Sequence, residues 1–584
     1  MPEPDLIPGA ASLRPDTALL QPPKEPRRAG GSLDAPRRAR RIARTGPDAV
    51  RPLPWLAAVA AAFSLVQLVL VVPGTGLGWD ETVYVSQVSP QAPAAFFSAP
   101  RARGITFLVV PVTELTTSVT ALRVYLALLS GVGLFIALWV WRRLLPTPVL
   151  AVAGGLFATL WVTAFYGAQV MPNLWVAYAA LVATGCFLRA IRRGDRGMLP
   201  CVAAAVAFAA FMRPVDAVWL ALPLALTALL KRARRLLLLL PLAIGLIIGW
   251  APWIIEAFMR YGGFSARLER ASEIQGQLGA YFAVDDHARA LSGRVLCRPC
   301  DVPWDQPDTS IWFLLLPLLL AGGAWAAVRT RRQAAVLLAT GTGLALAAPY
   351  LFTVGYAAPR FLLPAYALLS LPVAQCLTHI VSGSRARSPR RWAVTVGTAL
   401  AVIGHLTVQY KVLDGLTRHV RYDHTLHTRI AAELRAQGVR PPCVITGMES
   451  IRVAFRVGCA SRQPGGHDQS ITPAGLAAAA RQQPVALLLF GDQHPMAYAR
   501  TWRIHPLPAP HHLPDLRAYL SPTCGWPAGG ACSRTATGGP YSVPDRVRCI
   551  DPVRELPESC PHSAQNTMGR HPCKLHLQAT ATCR

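Results

Sequence analysis

Residues 53–73 of the chain are LPWLAAVAAAFSLVQLVLVVP, an apolar run that contains no charged residue. A helix of about 20 apolar residues spans the hydrocarbon core of a bilayer, so this run predicts a transmembrane helix. The residues before it are rich in Pro and Arg and are too polar and too numerous for the start of a signal peptide. We therefore predict a retained first span, preceded by a disordered basic cytoplasmic tail over residues 1–52.

The composition of the whole chain agrees with a membrane protein. Of its 584 residues, 52% are hydrophobic and only 15% are charged, whereas soluble domains carry about 25% charged residues. Lys and Arg number 58 against 30 Asp and Glu, which gives a net charge of +28. Such an excess in a soluble chain would suggest nucleic acid. The mean hydropathy of +0.34 argues against that class, and we expect no nucleic-acid partner.

Further apolar segments follow the first span. We place ten of them near residues 120–141, 147–166, 172–190, 198–212, 215–230, 236–256, 310–328, 334–353, 361–380 and 393–410. The segments at 198–212 and 215–230 are short for a span, and neighbouring helices are expected to shield them. Residues 104–118 are apolar but shorter than a span requires. They predict a helix lying at the membrane surface.

The charges of the connecting loops test the number of spans, because cytoplasmic loops collect Lys and Arg. With the N-terminus inside, the inner loops carry the basic clusters 142–143, 189–196, 231–235, 329–332 and 385–391. The alternate loops are weakly charged or slightly acidic. One miscounted span would break this alternation from that point onward. The pattern therefore predicts eleven spans in the plasma membrane and an external C-terminal region.

Residues 53–410 are thus predicted as one all-α polytopic membrane domain with two long external loops, 74–119 and 257–309. After the last span, residues 411–520 predict a small external α/β domain. Its segments PCVITGM and PVALLLF have the composition of buried strands, and TPAGLAAAARQ that of a helix between them. Cys443 and Cys459 are candidates for a disulfide in an oxidising exterior.

The remaining cysteines are weaker signals. Residues 521–584 hold six cysteines and many Pro and Gly without apolar periodicity. They predict a disordered tail, with a disulfide-stapled appendage as the alternative. Cys297 and Cys300 predict a local disulfide or free thiols, because no second ligand pair for zinc is evident.

An acidic pair lies just beyond the first span. Asp80 and Glu81 are flanked by the aromatic residues Trp79 and Tyr84. Glycines that let the backbone turn sharply precede them at positions 74, 76 and 78. A carboxylate held at the bilayer edge suits a general base for a hydroxyl acceptor, near the headgroup of a lipid-borne substrate. The alternative is that the two acids simply mark the start of a loop.

Two arginines break the positive-inside pattern, Arg213 in FMRPVD and Arg360 in YAAPRFLLPAY. Arginine at membrane depth is usually paired or functional, and its planar donors suit a phosphate. Snorkelling at the interface is the alternative. Tyr356, Tyr166 and Asn173 are also predicted at outer helix ends, where tyrosines commonly form interfacial belts.

Taken in order, these features resemble the GT-C class of polytopic glycosyltransferases. The resemblance is closest to the group of dolichyl-phosphate-mannose–protein mannosyltransferases and aminoarabinose lipid A transferases. It begins with the Asp-Glu pair after the first span and covers roughly residues 53–410. The further segments that carry it are YGAQVMPNLWVAYAAL (166–181), FMRPVDAVWLALP (211–223), GWAPWIIEAFMRYGGF (249–264) and YAAPRFLLPAYALLSLPVA (356–374).

The resemblance implies an enzyme that moves a sugar from a polyprenyl-phosphate donor to an acceptor hydroxyl at the outer membrane face. Asp80 would take the acceptor proton, with inversion at the anomeric carbon, and Arg360 would neutralise the lipid phosphate with support from Tyr356. Glu81 would position the acceptor or a metal. The sequence assigns no particular cofactor, although a divalent metal is a candidate. A lipid-phosphate leaving group requires no nucleotide-binding loop, and the GxxxxGK[ST] run is absent from the sequence.

The remaining site residues follow the same resemblance. Arg213 would join the donor phosphate site, while Tyr84, Tyr166 and Asn173 would contact substrate. Where the family often has a His or a Pro-rich segment before the second span, this chain has APRARGITF at 99–107. The acceptor, a glycan, lipid or protein hydroxyl, is therefore open. Mannose and arabinose are the sugars that the resemblance suggests.

Two other classes of protein compete with this interpretation. A lipid or glycan transporter or flippase would need ionisable residues inside spans or broken helices in paired halves. The span interiors are nearly free of charge, and the charges of interest lie at one face. A membrane scaffold whose external domain binds a partner is the third class.

Overall fold

A computed structural model of the chain describes residues 52–382, 389–509 and 515–523. Nearly all of the predicted tails, 1–52 and 521–584, lies outside these described residues.

All eleven predicted apolar segments are helical. The helices up to the second external loop are α1 (Pro52–Val66, continued by the π-helix Gln67–Val71), α2 (Trp79–Ser86), α3 (Gly104–Thr113), α4 (Val119–Trp141), α5 (Thr147–Thr159), α6 (Trp161–Gly167), α7 (Asn173–Arg193), α8 (Leu199–Met212), α9 (Pro214–Leu229) and α10 (Arg235–Arg260). Those that follow are α11 (Phe264–Ile274), α12 (Val284–Ala290), α13 (Ile311–Leu314), α14 (Leu316–Arg329), α15 (Gln333–Phe352), α16 (Leu363–Ser382) and α17 (Pro389–Ala436).

The number of spans depends on the bent pair α5 and α6 and on the short helices α8 and α9. Within the described residues, eight helices are long and apolar enough to cross a membrane, or nine if α5 and α6 form one span bent by 76°. Leu160 makes this bend because its backbone is extended between the two helices. Helices α8 and α9 are shorter than the other spans. The prediction that these two also cross the membrane, which brings the number to eleven, stays a prediction.

The centre of the helical bundle is formed by two spans. In α7 and in the span that includes α16, 89% of the apolar window is buried inside the protein, against 28% for the first span. The predicted surface segment at 104–118 contains α3, which packs closely on the end of α8. A side chain at Gly104 would place its Cβ 2.6 Å from the carbonyl oxygen of Phe211, so the close packing requires glycine.

The last span does not end where its apolar run ends. Helix α17 continues to Ala436, so the boundary predicted at residue 411 falls inside a helix. Hydropathy marks where a helix leaves the membrane, whereas helical hydrogen bonding continues through polar residues. The exit from the membrane and the end of the helix are therefore separate features, and the sequence signalled only the first.

Beyond α17 lies a five-stranded sheet with strand order β2-β1-β3-β5-β4. Its strands are β1 (Val444–Gly447), β2 (Ala460–Ser461), β3 (Val485–Phe490), β4 (Arg503–Leu507) and β5 (Leu516–Leu520). Two helices accompany them, α18 (Ser450–Val457) and α19 (Pro473–Gln482). Strands β1 and β3 pair in parallel, as buried strands joined through a helix commonly do. The disulfides Cys443–Cys459 and Cys297–Cys300 are both formed.

Candidate active site

The site is organised around the first turn of α2. Gly78 precedes this helix in an extended conformation, with φ −72° and ψ 175°. Its N–H donates to Glu81 Oε2 at 2.9 Å, an interaction that satisfies a free amide at the helix start. The GTGLGWDE segment therefore begins a short helix with Asp80 and Glu81 in its first turn.

Glu81 is engaged entirely within the protein. Its carboxylate forms an ion pair with Arg123 of α4, with Nη2 donating to Oε2 at 2.8 Å. The Val170 N–H donates to Oε1 at 2.6 Å. The side chains of Arg123 and Glu81 are 0% and 4% exposed. Because the same guanidinium also donates to the carbonyls of Gly76 and Ala168, this pair joins three segments around α2.

Asp80, by contrast, is shared between two arginines from distant parts of the sequence. Arg101 Nη2 lies 2.6 Å from Asp80 Oδ1, and Arg360 Nη2 lies 3.1 Å from Oδ2. Burial by itself raises the pKa of Asp80, but the charges of Arg101, Arg360 and, at longer range, Arg213 outweigh it, so the pKa lies below its ordinary value. Asp80 is therefore ionised at neutral pH. Its side chain is 34% exposed.

Arg360 lies in the short helical turn Pro359–Leu362 that leads into α16. It also donates to the Val295 carbonyl at 2.9 Å and to the Tyr166 hydroxyl at 3.5 Å. Its Nε has no hydrogen-bond partner among the described residues. Tyr356 lies four residues earlier, and burial raises the pKa of this tyrosine above its ordinary value.

Arg213, between α8 and α9, is held from one side. Its Nε donates to Asp216 Oδ2 at 2.8 Å, and its Nη2 donates to the Tyr350 hydroxyl at 2.6 Å. That hydroxyl in turn donates to Asp216. The guanidinium lies 5.2 Å from the centre of the Phe361 ring. Stacking and ion pairing together keep this cation near the site although Asp80 is not its partner.

The position of Arg101 depends on Arg267 of α11, in the second long loop. The buried guanidinium of Arg267 donates to the carbonyls of Ala99 and Arg101 at 3.1 Å each. It also pairs with Glu256, and the Arg103 Nη2 donates to the same carboxylate at 2.6 Å. The segment 99–107, where the family resemblance fails, is thus fixed by charged contacts. It supplies Asp80 with an arginine that the sequence prediction did not place in the site.

Two cavities meet at Asp80. The first measures about 390 Å³ and the second about 320 Å³. Both are within the range of small-molecule sites. Five residues line both cavities and separate them: Trp79, Asp80, Met171, Leu296 and Arg360. Asp80 therefore lines a cavity on each of two sides.

The structure distributes the predicted site residues over these cavities. The first cavity contains Tyr84, Arg213 and Tyr356, together with Arg101, and the second contains Tyr166 and Glu81. Asn173 is fully buried and its amide has no hydrogen-bond partner among the described residues. It is not part of the lining of either cavity.

The sequence prediction missed several contributors to the second cavity. They come from α17 and α18 and include His419, Asp423, His424, Arg452 and Arg456. Their only sequence signal was a concentration of His and Arg after the last apolar run. Within the described part of the chain, no group of three or more His, Cys, Asp and Glu side chains has the arrangement of a metal site.

No model of a known protein family matches the sequence, and no curated protein matches it significantly. The fold, however, is similar to solved structures. ArnT from Cupriavidus metallidurans bound to undecaprenyl phosphate matches with a TM-score of 0.59 at 15% identity, over 82% of this chain and 100% of that one. In the apo state ArnT gives a TM-score of 0.55 at 13% identity, over 81% and 99%.

A third similar structure is the Archaeoglobus fulgidus oligosaccharyltransferase, with a TM-score of 0.45 at 12% identity, over 75% of this chain and 69% of that one. At these identities the comparison with ArnT concerns the fold alone. The chain shares the fold of ArnT, and the predicted fold class, a polytopic helical membrane protein with a small C-terminal α/β domain, is confirmed.

Proposed function

We propose that the protein is a membrane glycosyltransferase that moves a sugar from a polyprenyl-phosphate donor to an acceptor hydroxyl. The observation that carries this proposal is the position of Asp80, bound by Arg101 and Arg360 in the wall between two cavities. In this proposal the chain lies in the plasma membrane with its N-terminus in the cytoplasm and its site outside.

The first cavity is the better candidate for the donor. It is lined by Arg213 and Arg360 together with the hydroxyl of Tyr356, which are groups that bind a phosphate and stabilise its departure. ArnT, which shares the fold, has been solved with undecaprenyl phosphate bound. Because the leaving group is a lipid phosphate, the donor requires no nucleotide-binding loop.

Binding of the donor would also activate the base. In the free protein, Arg360 is one of the cations that lower the pKa of Asp80. A phosphate that takes the Arg360 guanidinium would weaken this ion pair and add a negative charge nearby, and both changes raise the pKa of Asp80. The carboxylate would thus become a stronger base only when the donor is in place.

The acceptor hydroxyl would approach Asp80 from the second cavity. Asp80 takes the hydroxyl proton while the acceptor oxygen attacks the anomeric carbon. The bond from this carbon to the phosphate oxygen breaks on the opposite side, so the configuration inverts. Glu81 would act through the position of α2, because its carboxylate is bound by Arg123 and by backbone amides.

The alternative is a lipid or glycan transporter without transferase chemistry. Arg101, Arg360 and Asp80 gather at one end of the bundle, an arrangement that serves a surface reaction better than passage through the membrane. The transferred sugar would be a hexose or a pentose, and the acceptor a hydroxyl of a glycan, lipid or protein.

The decisive experiment is a transfer assay with polyprenyl-phosphate-linked sugars and the full chain in membranes. Asp80→Asn should insert normally and lose transfer by about 10²- to 10⁴-fold, the usual contribution of a general base. Asp285→Asn is the matched control, since Asp285 is half-exposed in α12 and pairs locally with Arg289. Unchanged transfer by Asp80→Asn, in protein that is inserted and folded, would refute the mechanism.

A further inference from the structure

A loop of the external α/β domain reaches the first cavity. The loop follows β2 and is fastened at its base by Gln463. The side chain of this glutamine donates to the Gly447 carbonyl and to the Ser450 hydroxyl, at 2.8 Å each. The Ser470 N–H closes the loop by donating to the Gln463 carbonyl at 2.9 Å. A loop tied at both ends presents its tip in one place.

The tip of this loop carries His467 and Asp468. Both line the first cavity, together with Asp80 and Arg101. The turn before them is made by two glycines, and Gly466 has a positive φ of 80° that a larger residue would adopt only with strain. The α/β domain therefore completes a cavity whose other walls belong to the membrane domain.

The Asp468 carboxylate differs from the other acid of this cavity, Asp80, and from the arginines Arg101, Arg213 and Arg360. Asp80 is paired with Arg101 and Arg360, and Arg213 is paired with Asp216. None of the ion pairs found among the described residues includes Asp468. Partial burial and the nearby charge of Asp80 raise the pKa of Asp468, although Arg101 opposes the shift.

The Asp468 carboxylate would not bind a lipid phosphate, because the two negative charges would repel each other. An ionised carboxylate only accepts hydrogen bonds. Its natural partner in a cavity that also holds a phosphate site is thus the part of the donor that carries hydrogen-bond donors. In a sugar linked to a lipid phosphate, that part is the sugar ring.

We propose that Asp468 binds hydrogen-bond donors on the ring of the transferred sugar and that the α/β domain thereby helps to select the sugar. This proposal rests on the proposed function, because it assumes that the first cavity holds the lipid-linked donor. Arg360 and Arg213 would hold the phosphate, Asp80 would face the anomeric carbon, and Asp468 would contact the sugar from the external side. Sugar selection would then depend on a loop outside the membrane.

Equilibrium binding to the full chain in nanodiscs tests the proposal without an acceptor. The probes are undecaprenyl phosphate alone and undecaprenyl phosphate linked to a hexose or to a pentose. Asp468→Asn should weaken binding of the preferred sugar-linked lipid by about 10- to 100-fold, the range for hydrogen bonds to a charged group. The affinity of this variant for undecaprenyl phosphate alone should not fall, because the substitution removes a negative charge near the phosphate site.

Two further variants complete the experiment. Asp468→Glu keeps the carboxylate and should recover part of the lost affinity. Asp492→Asn is the matched control, because Asp492 is an exposed acid in a turn of the same domain, and it should bind all three probes as the unmodified protein does.

The outcomes separate this proposal from the proposed function. An unmodified protein that binds none of the three probes would overturn both. If the unmodified protein binds the lipid phosphate but gains no affinity from either sugar, only the role of Asp468 is refuted. The same holds if Asp468→Asn binds the sugar-linked lipid unchanged, or if it weakens all three probes equally.

Discussion

Asp80 and Glu81 are neighbours in sequence and in the same turn of α2, yet they lie in opposite environments. The Glu81 side chain is 4% exposed and is bound by a fully buried arginine, Arg123. The Asp80 side chain is 34% exposed and lies between two cavities, held by Arg101 and Arg360. Consecutive residues of a helix point about 100° apart, so one turn can place one acid in the core and the other in the wall between two cavities.

The difference predicts separate roles for the two acids of the pair. Removing the charge of Glu81 would leave Arg123 buried without a partner, which is costly in stability. The substitution Asp80→Asn keeps an amide oxygen that can accept hydrogen bonds from Arg101 and Arg360, whose side chains are 13% and 12% exposed, so we expect a smaller cost. We therefore expect that substitutions on the two sides of α2 affect different measurements.

The largest effect on stability is expected from Glu81→Gln. Removing one partner of a buried ion pair costs about 3–5 kcal/mol in stability. Glu81→Gln should therefore unfold in detergent at a clearly lower temperature than Asp80→Asn. The double variant Glu81→Gln with Arg123→Met should regain part of the loss, since it removes both charges. If Glu81→Gln abolishes transfer while its stability is unchanged, Glu81 belongs to the reacting side.

An intermediate effect, on activity alone, is expected from Arg360→Gln. In the proposed function, this variant lacks the guanidinium that donates hydrogen bonds to the donor phosphate. Its kcat/KM should therefore fall by about 10- to 100-fold. Arg298 also lines the first cavity but is exposed. Arg298→Gln is the control, and its kcat/KM should fall much less. Equal losses in both variants would mean that Arg360 provides only general positive charge.

The smallest effect is expected from Arg101→Gln, and it should appear as a change in pH dependence. Arg101 is the strongest of the charges that lower the pKa of Asp80. Its removal raises this pKa, so Asp80 becomes protonated at a higher pH on acidification. The acid limb of the kcat/KM profile should therefore move to higher pH, with little change at neutral pH.

Arg103→Gln is the control for this measurement, because Arg103 pairs with Glu256 and not with Asp80. It should leave the acid limb in place. A limb that stays unmoved in Arg101→Gln, or that moves to lower pH, would show that another group controls it.

Much of the architecture was predictable because it follows from local composition. The apolar segments were all found to be helical, and the strands around Val444–Gly447 and Val485–Phe490 lie where their buried composition placed them. The boundary predicted at residue 411 lies within α17, because polar residues continue this helix to Ala436. Hydropathy reports the environment of a helix and carries no information on its length beyond the membrane.

The site was predictable only in part. Asp80, Arg360 and Arg213 were suggested by charges at the outer ends of apolar helices, where charge is costly without a purpose. Arg101 was seen only as a departure from the family pattern, and Asp468 gave no signal. Their roles come from contacts between positions far apart in the chain, which no local pattern encodes.

The sequence by itself determined that this chain is a multi-pass membrane protein, that its basic loops alternate with weakly charged ones, and that an acidic pair follows the first span. These properties follow from the transfer of residues between water and lipid, which composition dictates. Only the tertiary structure decided which acid of the pair is buried and which arginines hold the other. Ion pairs depend on distances of a few ångströms, and packing sets those distances between segments hundreds of residues apart.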